Sequence, residues 1–470
     1  MSGSACRAWA REEFGHARLG DERRTTRAVA MAATALSRPG GRVSDVFIDD
    51  AERQGAYDFL ESDAVHADAL MAAMGEACAR RCADHRYVFV PVDGSSLRLT
   101  DRYWAKDFGA VGPFQAGARG IKFVDAIAVS PVGVPLGCFS IRWWTRRAPV
   151  GQRRPCNVLV SEKETQHWLD AIDDVRSRLQ SDAGETRAWF QLDREGDAWS
   201  KLNHLSSGHD LFTVRAAWNR RVCTAHGRSY LREVLRRRAP CGSYLLEVPD
   251  GRHRTERLAC METRAATVTL DLRDKRTDKR WALTLNAVWT REVGTTPRGE
   301  NRLEWLLLTN ASIHTPADVD LVVRGYAQRW RIEDFHKAWK SGVCDVESTQ
   351  LRTSAHVIKW ATLLAAVASR VERLKHLARE TPDAPASVEL STAEIEATLL
   401  LKRQHKKRTE TVPDSMPTIA QATLWIAQLG GYTGKSSGGP PGSITIGRGL
   451  RDVLVAAKVI EGLRPPKKKR

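Results

Sequence analysis

The chain has 470 residues, 42% of them hydrophobic, which is enough to bury a core in each of two or three units and excludes a single small domain. With 73 Lys and Arg against 56 acids, the formal charge of +17 favours a polyanionic partner, nucleic acid first, although charge alone names no mechanism. No apolar run reaches membrane-span length, the first residues lack an export-signal core, and nine Cys without CxxC pairs point away from disulfides and zinc, so a cytoplasmic, nucleoid-associated protein is expected.

From Glu12 to about Leu70 the pattern predicts helices, one of them within residues 15–36 and another after Ser44. Arg18, Arg23, Arg24 and Arg27 are concentrated in the first. A compact basic helical unit suits phosphate contact with DNA, through Arg23, Arg24 and Arg27, while a solvated face is the competing reading. Cys78 and Cys82, one turn apart with no second pair at ligand spacing, read as buried thiols.

The run HRYVFVPVDGSSL (85–97) predicts a buried strand ended by Asp93-Gly94, with Pro91 awkward for a central strand because it lacks a ladder donor. Strands follow at 121–130 and 133–144, then a helix from near Glu162, then a strand over 187–197. Trp143 and Trp144 read as structural and must face opposite ways. This order predicts an α/β domain with acids at strand ends. Between about 214 and 300 the composition turns Arg-rich, with alternating strands at 266–272 and 281–289 joined by the basic turn RDKRTDKR, and this reads as a mainly β insertion. A strand at 302–310 precedes one long helix from about Pro316 to Lys340, opened by Thr315-Pro316. A further helix at about 355–378, a capping box at Ser391 and Glu394, and two more helices around the loop 434–443 complete the chain. The terminal PPKKKR resembles a nuclear-import patch and equally a solvated tail.

Treated as one helix at about 100° per residue, Tyr326, Arg329, Glu333 and Lys340 fall within about 60° of one another. Trp330, Ile332 and Phe335 fall elsewhere around it. A surface salt-bridge helix is the default for such a stretch, and context decides. Asp93 and Asp193 stand upstream at strand ends, and a helix packed across the sheet can bring Glu333 to them. Three carboxylates, water and phosphate oxygens suffice for hard divalent cations.

At these residues the chain resembles the DDE transposases of the insertion-sequence-four family. The likeness runs over nearly the whole chain: LGDERR (19–24), AERQGAYDFL (51–60), VDGSS at Asp93, EKETQHW (162–168), DREGD (193–197), WLLLT (305–309) and WIAQLGGY (425–432). Its most specific element is the Y-x₂-R-x₃-E-x₆-K signature at Tyr326, Arg329, Glu333 and Lys340. Gly94, Ser95 and Ser96 stand where the family often has Thr, a departure that removes no ligand.

The resemblance implies an RNase H-like (retroviral integrase) α/β core with a β insertion over about 214–300. Residues 1–72 would be a helical DNA-binding domain, 73–378 the catalytic domain and 379–470 a helical dimerisation domain. Asp93, Asp193 and Glu333 would bind Mg²⁺, with Mn²⁺ substituting. A homodimer would cut double-stranded DNA at terminal inverted repeats, through a hairpin, and join the ends to target DNA. Tyr326, Arg329, Lys340 and Arg215 would grip phosphates, and Trp305 would stack on a flipped base. Two alternatives stay open: a catalytically idle DNA-binding regulator, and a metal nuclease without strand transfer.

Overall fold

A computed structural model of the protein describes residues 5–112, 117–146, 160–224, 227–251, 254–274, 276–406, 411–435 and 439–463; the PPKKKR tail lies outside them. The first helices are α1 (Ala5–Phe14), α2 (Glu22–Ser37), α3 (Val43–Val46) and α4 (Asp50–Glu61). The helix expected within 15–36 therefore starts only at Glu22. Gly20 takes φ +75° and Asp21 caps the helix, accepting the Arg23 N–H at 2.8 Å.

Helix α5 (Ala67–Cys82) carries Cys78 and Cys82 fully buried and leads into β1 (Tyr87–Arg98), β2 (Gly109–Ala110), β3 (Arg119–Val129) and β4 (Pro135–Trp144). Then come α6 (Thr165–Asp182), β5 (Arg187–Leu192), α7 (Trp199–Ser206) and β6 (Leu211–Arg215). In the sheet β4, β3 and β1 run antiparallel in that order, and β5 and β6 continue it parallel to β1. The insertion does not form a separate layer. Its elements β7 (Arg221–Thr224), β8 (Gly227–Tyr230), α8 (Leu231–Arg236), β9 (Gly242–Val248), β10 (Arg257–Arg273) and β11 (Arg280–Val293) lead to β12 (Glu304–Thr309). Strand β12 pairs antiparallel with β6, so β11, β10, β7 and β8 prolong the same sheet, with β9 pairing β10.

Two sequence expectations need correcting here. Strand β1 does not end at Asp93-Gly94: it continues against β3 to Arg98, whereas its other neighbour, β5, stops at Leu192. Pro91 sits where the β1–β3 ladder lapses between Phe89↔Val129 and Val92↔Ala126, so its missing donor leaves no vacancy in the pairing. The long helix is also two, α9 (Pro316–Ala327) and α10 (Trp330–Lys340). Between them the Arg329, Arg331 and Ile332 amides bond back only three residues, to Tyr326, Gln328 and Arg329, a tightened 3₁₀ passage. Thr315 and Asp318 close a capping box at the start of α9.

The remaining helices are α11 (Ser354–Glu380), α12 (Thr392–His405), α13 (Ile419–Leu429) and α14 (Ser443–Leu463), and the Ser391–Glu394 capping box opens α12 as expected. None of the helices among the described residues is long and apolar enough to cross a membrane. Strand parity divides the interior in two. Val88, Val90 and Val92 join Phe190 and the α6 residues Trp168, Ile172 and Val175 in one core. Phe89, Phe123 and Trp189 join α9, α10, α11 and both sets of terminal helices in the other.

Helix α9 approaches β1 through Gly325, where an added Cβ would stand 2.5 Å from Cε1 of the Phe89 ring. The ring is buried and cannot step aside. Gly325→Ala is expected to lower stability by roughly 1–3 kcal/mol despite the helix propensity of Ala, because overpacking outweighs a gain of about 1 kcal/mol. Chemical denaturation of the two proteins measures it.

Candidate active site

The parallel ladder between β1 and β5 pairs Tyr87 with Arg187 and ends with Val92 opposite Leu192, so Asp93, still inside β1, and Asp193, just past the end of β5, follow at the same level. Parallel strands lie about 4.8 Å apart, which makes the two acids neighbours. By parity Asp93 shares the face of Phe89, turned toward α9 and α10, while Gly94 faces α6. An added Cβ on Gly94 would stand 3.0 Å from Cζ2 of Trp168, so the strand lies close against that ring. Asp193 starts a 3₁₀ turn, Arg194–Gly196, and its Oδ1 accepts the Glu195 N–H at 2.8 Å.

Glu333 arrives on the first turn of α10. Arg329, at the passage from α9, donates to Asp93 Oδ2 at 3.4 Å and to Glu333 Oε1 at 3.3 Å. The tightened backbone thus places a guanidinium between two of the three predicted carboxylates. Lys340, at the far end of α10, donates to Ser95 Oγ at 3.2 Å and stands 3.8 Å from Glu347. Tyr326 is buried, packed edge-on against the half-buried Trp305 at 5.2 Å, with Arg215 beside it. Arg215 also donates to the Glu304 carbonyl at 3.1 Å.

The structure brings Asp93, Asp193, Glu333, Arg329, Lys340, Tyr326, Trp305 and Arg215 to one region. It leaves Arg23, Arg24 and Arg27 apart on α2. Arg24 turns back to the Leu19 carbonyl at 3.0 Å, while Arg23 and Arg27 are exposed. Trp143 and Trp144 do face opposite ways: Trp143 packs on Phe123 and Trp339, and Trp144 stacks on His167.

Three further groups were not singled out from sequence. Asp125 lies directly opposite Asp93 in the β1–β3 ladder and accepts from His336 Nε2 at 2.8 Å, both groups being buried. Burial alone would discharge His336, but the Asp125 charge and hydrogen bond, with Asp93 behind them, hold its pKa above the ordinary value. Lys201 is buried over the Trp168 ring at 3.6 Å and donates to the Glu195 carbonyl at 2.9 Å. Burial pulls it down to about 8, against the pull of Glu195, Asp193 and Asp93. The sequence signal for His336 was its place one turn beyond Glu333.

The donor set suits a hard divalent cation. A carboxylate oxygen each of Asp93 and Glu333 lies within 4.8 Å of the other, and Asp193 is close enough to Asp93 to raise its pKa. Burial pushes Asp93 up to about 7; His336 and Arg329 oppose the rise, and Asp193 and Asp125 add to it. Four carboxylates therefore share a place where extra positive charge would be stabilised.

Comparison with known families adds evidence from both ends of the chain. Residues 6–65 match the family model described as Transposase DNA-binding, which together with the basic charge supports a DNA transposase. Residues 366–467, beginning inside α11, match the Transposase Tn5 dimerisation domain. The two matches support a Tn5-like transposase that binds DNA and forms a homodimer.

Native Asp93 keeps its proton to higher pH than the unfolded chain. Its contribution to stability is therefore complete below about pH 4 and is lost as pH climbs through about 7. In metal-free buffer Asp93→Asn is expected to be more stable than the parent at pH 8, by on the order of 2–4 kcal/mol, with the advantage gone by about pH 4. Denaturation at a series of pH values checks this; a constant difference would contradict it.

Proposed function

We propose that the protein is a cut-and-paste DNA transposase of the DDE type, with Asp93, Asp193 and Glu333 as its metal-binding carboxylates on an RNase H-like core. The observation that carries this reading is that Asp93 and Asp193 each follow directly on the last pair of the β1–β5 ladder, with a Glu333 oxygen within 4.8 Å of one of Asp93 and Arg329 donating to both Asp93 and Glu333. The strand directions support the core assignment, with three antiparallel strands followed by two parallel to β1. The signature Tyr326, Arg329, Glu333 and Lys340 supports placement in the insertion-sequence-four family.

Mg²⁺ or Mn²⁺ bound there would supply Lewis-acid activation of the attacking oxygen and stabilisation of the leaving 3′ oxygen in in-line displacement. Asp93, Asp193 and Glu333 would hold the ions. Arg329 offers a planar fork and Lys340 a point charge to the phosphates flanking the cut, with Arg215 beside them. Tyr326 backs the Trp305 ring, whose exposed part would stack on a base turned out of the duplex when one end closes into a hairpin. The same site serves nicking, hairpin formation, hairpin opening and joining to target DNA, and a homodimer brings two inverted-repeat ends together. Arg23 and Arg27 on α2 add sequence-independent phosphate contact.

Incubating the protein with DNA carrying its terminal repeats and Mg²⁺ or Mn²⁺ is expected to give nicked, hairpin and joined products on denaturing gels. Asp93→Ala is expected to abolish all three while end-DNA binding stays within about threefold, because the loss falls on phosphoryl transfer. Cleavage at the parent rate by that variant would overturn the reading; hydrolysis without any joined product would reduce it to a nuclease.

A further inference from the structure

We infer that Asp125 and His336 are positioning residues that set where Glu333 stands relative to Asp93. The inference rests on the metal-carboxylate reading above and concerns residues to which that reading gives no task.

Three side-chain pairs tie α10 and the passage before it to the strands: Arg329 on Asp93 at 3.4 Å, Lys340 on Ser95 at 3.2 Å, and His336 on Asp125 at 2.8 Å; Arg331 adds a bond to the Gly133 carbonyl in the β3–β4 turn at 2.9 Å. The first two use cations that bound DNA phosphates would compete for. Only the third is sealed from solvent, with Asp125 at 0% and His336 at 6% exposure. The rings of Phe123 and Phe335 stand against the imidazole, at 5.4 and 6.0 Å between centroids.

The contact lies where it can control the site. Asp125 is the register partner of Asp93, one strand away on the same face. His336 stands one turn beyond Glu333, so the two side chains share a stripe of α10. A slide of α10 by one residue is about 1.5 Å and would part His336 from Asp125. Apolar packing around Trp339 and Phe335 is non-directional, whereas a buried hydrogen bond of 2.8 Å fixes both distance and angle and so specifies the register of α10. His336 bonds Asp125 Oδ1 and Asp125 Oδ2 has no hydrogen-bond partner among the described residues, so the carboxylate depends on His336 for its hydrogen bonding. Metal sites lose affinity steeply when the groups orienting their ligands are removed.

The test uses the full chain, Mn²⁺ alone as probe, and electron paramagnetic resonance to count free ion. His336→Ala and Asp125→Ala are expected to raise the Mn²⁺ Kd by about tenfold or more while end-DNA binding is retained. His336→Gln, whose amide can still donate to Asp125, is expected to recover affinity to within about threefold, and His336→Asn, one methylene shorter, is not. The Gln and Asn pair carries the comparison if the Ala variants do not fold. Equal Mn²⁺ affinity in the Gln and Asn variants, or Ala variants that lose thermal stability but bind Mn²⁺ like the parent, would overturn the positioning role. Asp93→Ala, run alongside, separates the two claims: if it too binds Mn²⁺ like the parent, the metal-carboxylate reading itself fails.

Discussion

The site depends on the electrostatic cost of holding Asp93 next to other carboxylates in a place shielded from water. Asp193 follows on the adjoining strand, Asp125 faces it across the other ladder, and Glu333 comes down from α10. Left alone such a group would keep protons, as the raised pKa of Asp93 records. The chain supplies three internal cations in answer. Arg329 bridges Asp93 and Glu333, His336 pairs with Asp125, and Lys201 lies beneath Asp193 on the Trp168 side. None of the three is a simple surface charge, since each is largely buried and aimed by packing.

The Arg329 guanidinium is held between Asp93 and Glu333 at 3.3–3.4 Å, longer than a tight bidentate pair, and only 11% of the side chain is exposed, so its place is set by packing as much as by the two carboxylates.

Much of the site was legible in sequence, for reasons particular residues make plain. The two short apolar runs ending in Asp93 and Asp193 are buried parallel neighbours, and burial on both faces is what produces such runs. The stripe from Tyr326 to Lys340 survives although the helix is two, because the tightened passage at Gln328–Arg329 keeps the chain turning in the same sense. Other features were hidden. That Asp93 lies inside a strand depends on β3 running past the end of β5, a difference in neighbours that no local pattern encodes. The His336–Asp125 pair joins residues 211 positions apart, and either residue alone reads as ordinary. Lys201 shows no motif, since its burial comes from the Trp168 ring on another helix.

The helices at the two ends of the chain are not appendages to this site. Helix α10 also rests on α11, where Trp339, packed on Phe123 and Trp143 of the sheet, donates to the Ala361 carbonyl at 2.9 Å. Helix α11 in turn holds the N-terminal segment, with Lys359 donating to the carbonyls of Leu60 and Ser62 and Trp360 to that of Gly41. Toward the C-terminus its Arg370 reaches Glu389 and Glu394. One continuous apolar core therefore runs from Trp9 and Phe59 through Trp339 and Trp360 to Ile426 and Leu450. Close-packed interiors transmit displacement rather than absorb it. Helix α10, which carries Glu333, is held by polar contacts to the sheet and by α11, a helix shared between the segments that match DNA-binding and dimerisation models. The position of the Glu333 carboxylate is thus set by the same packing that holds both.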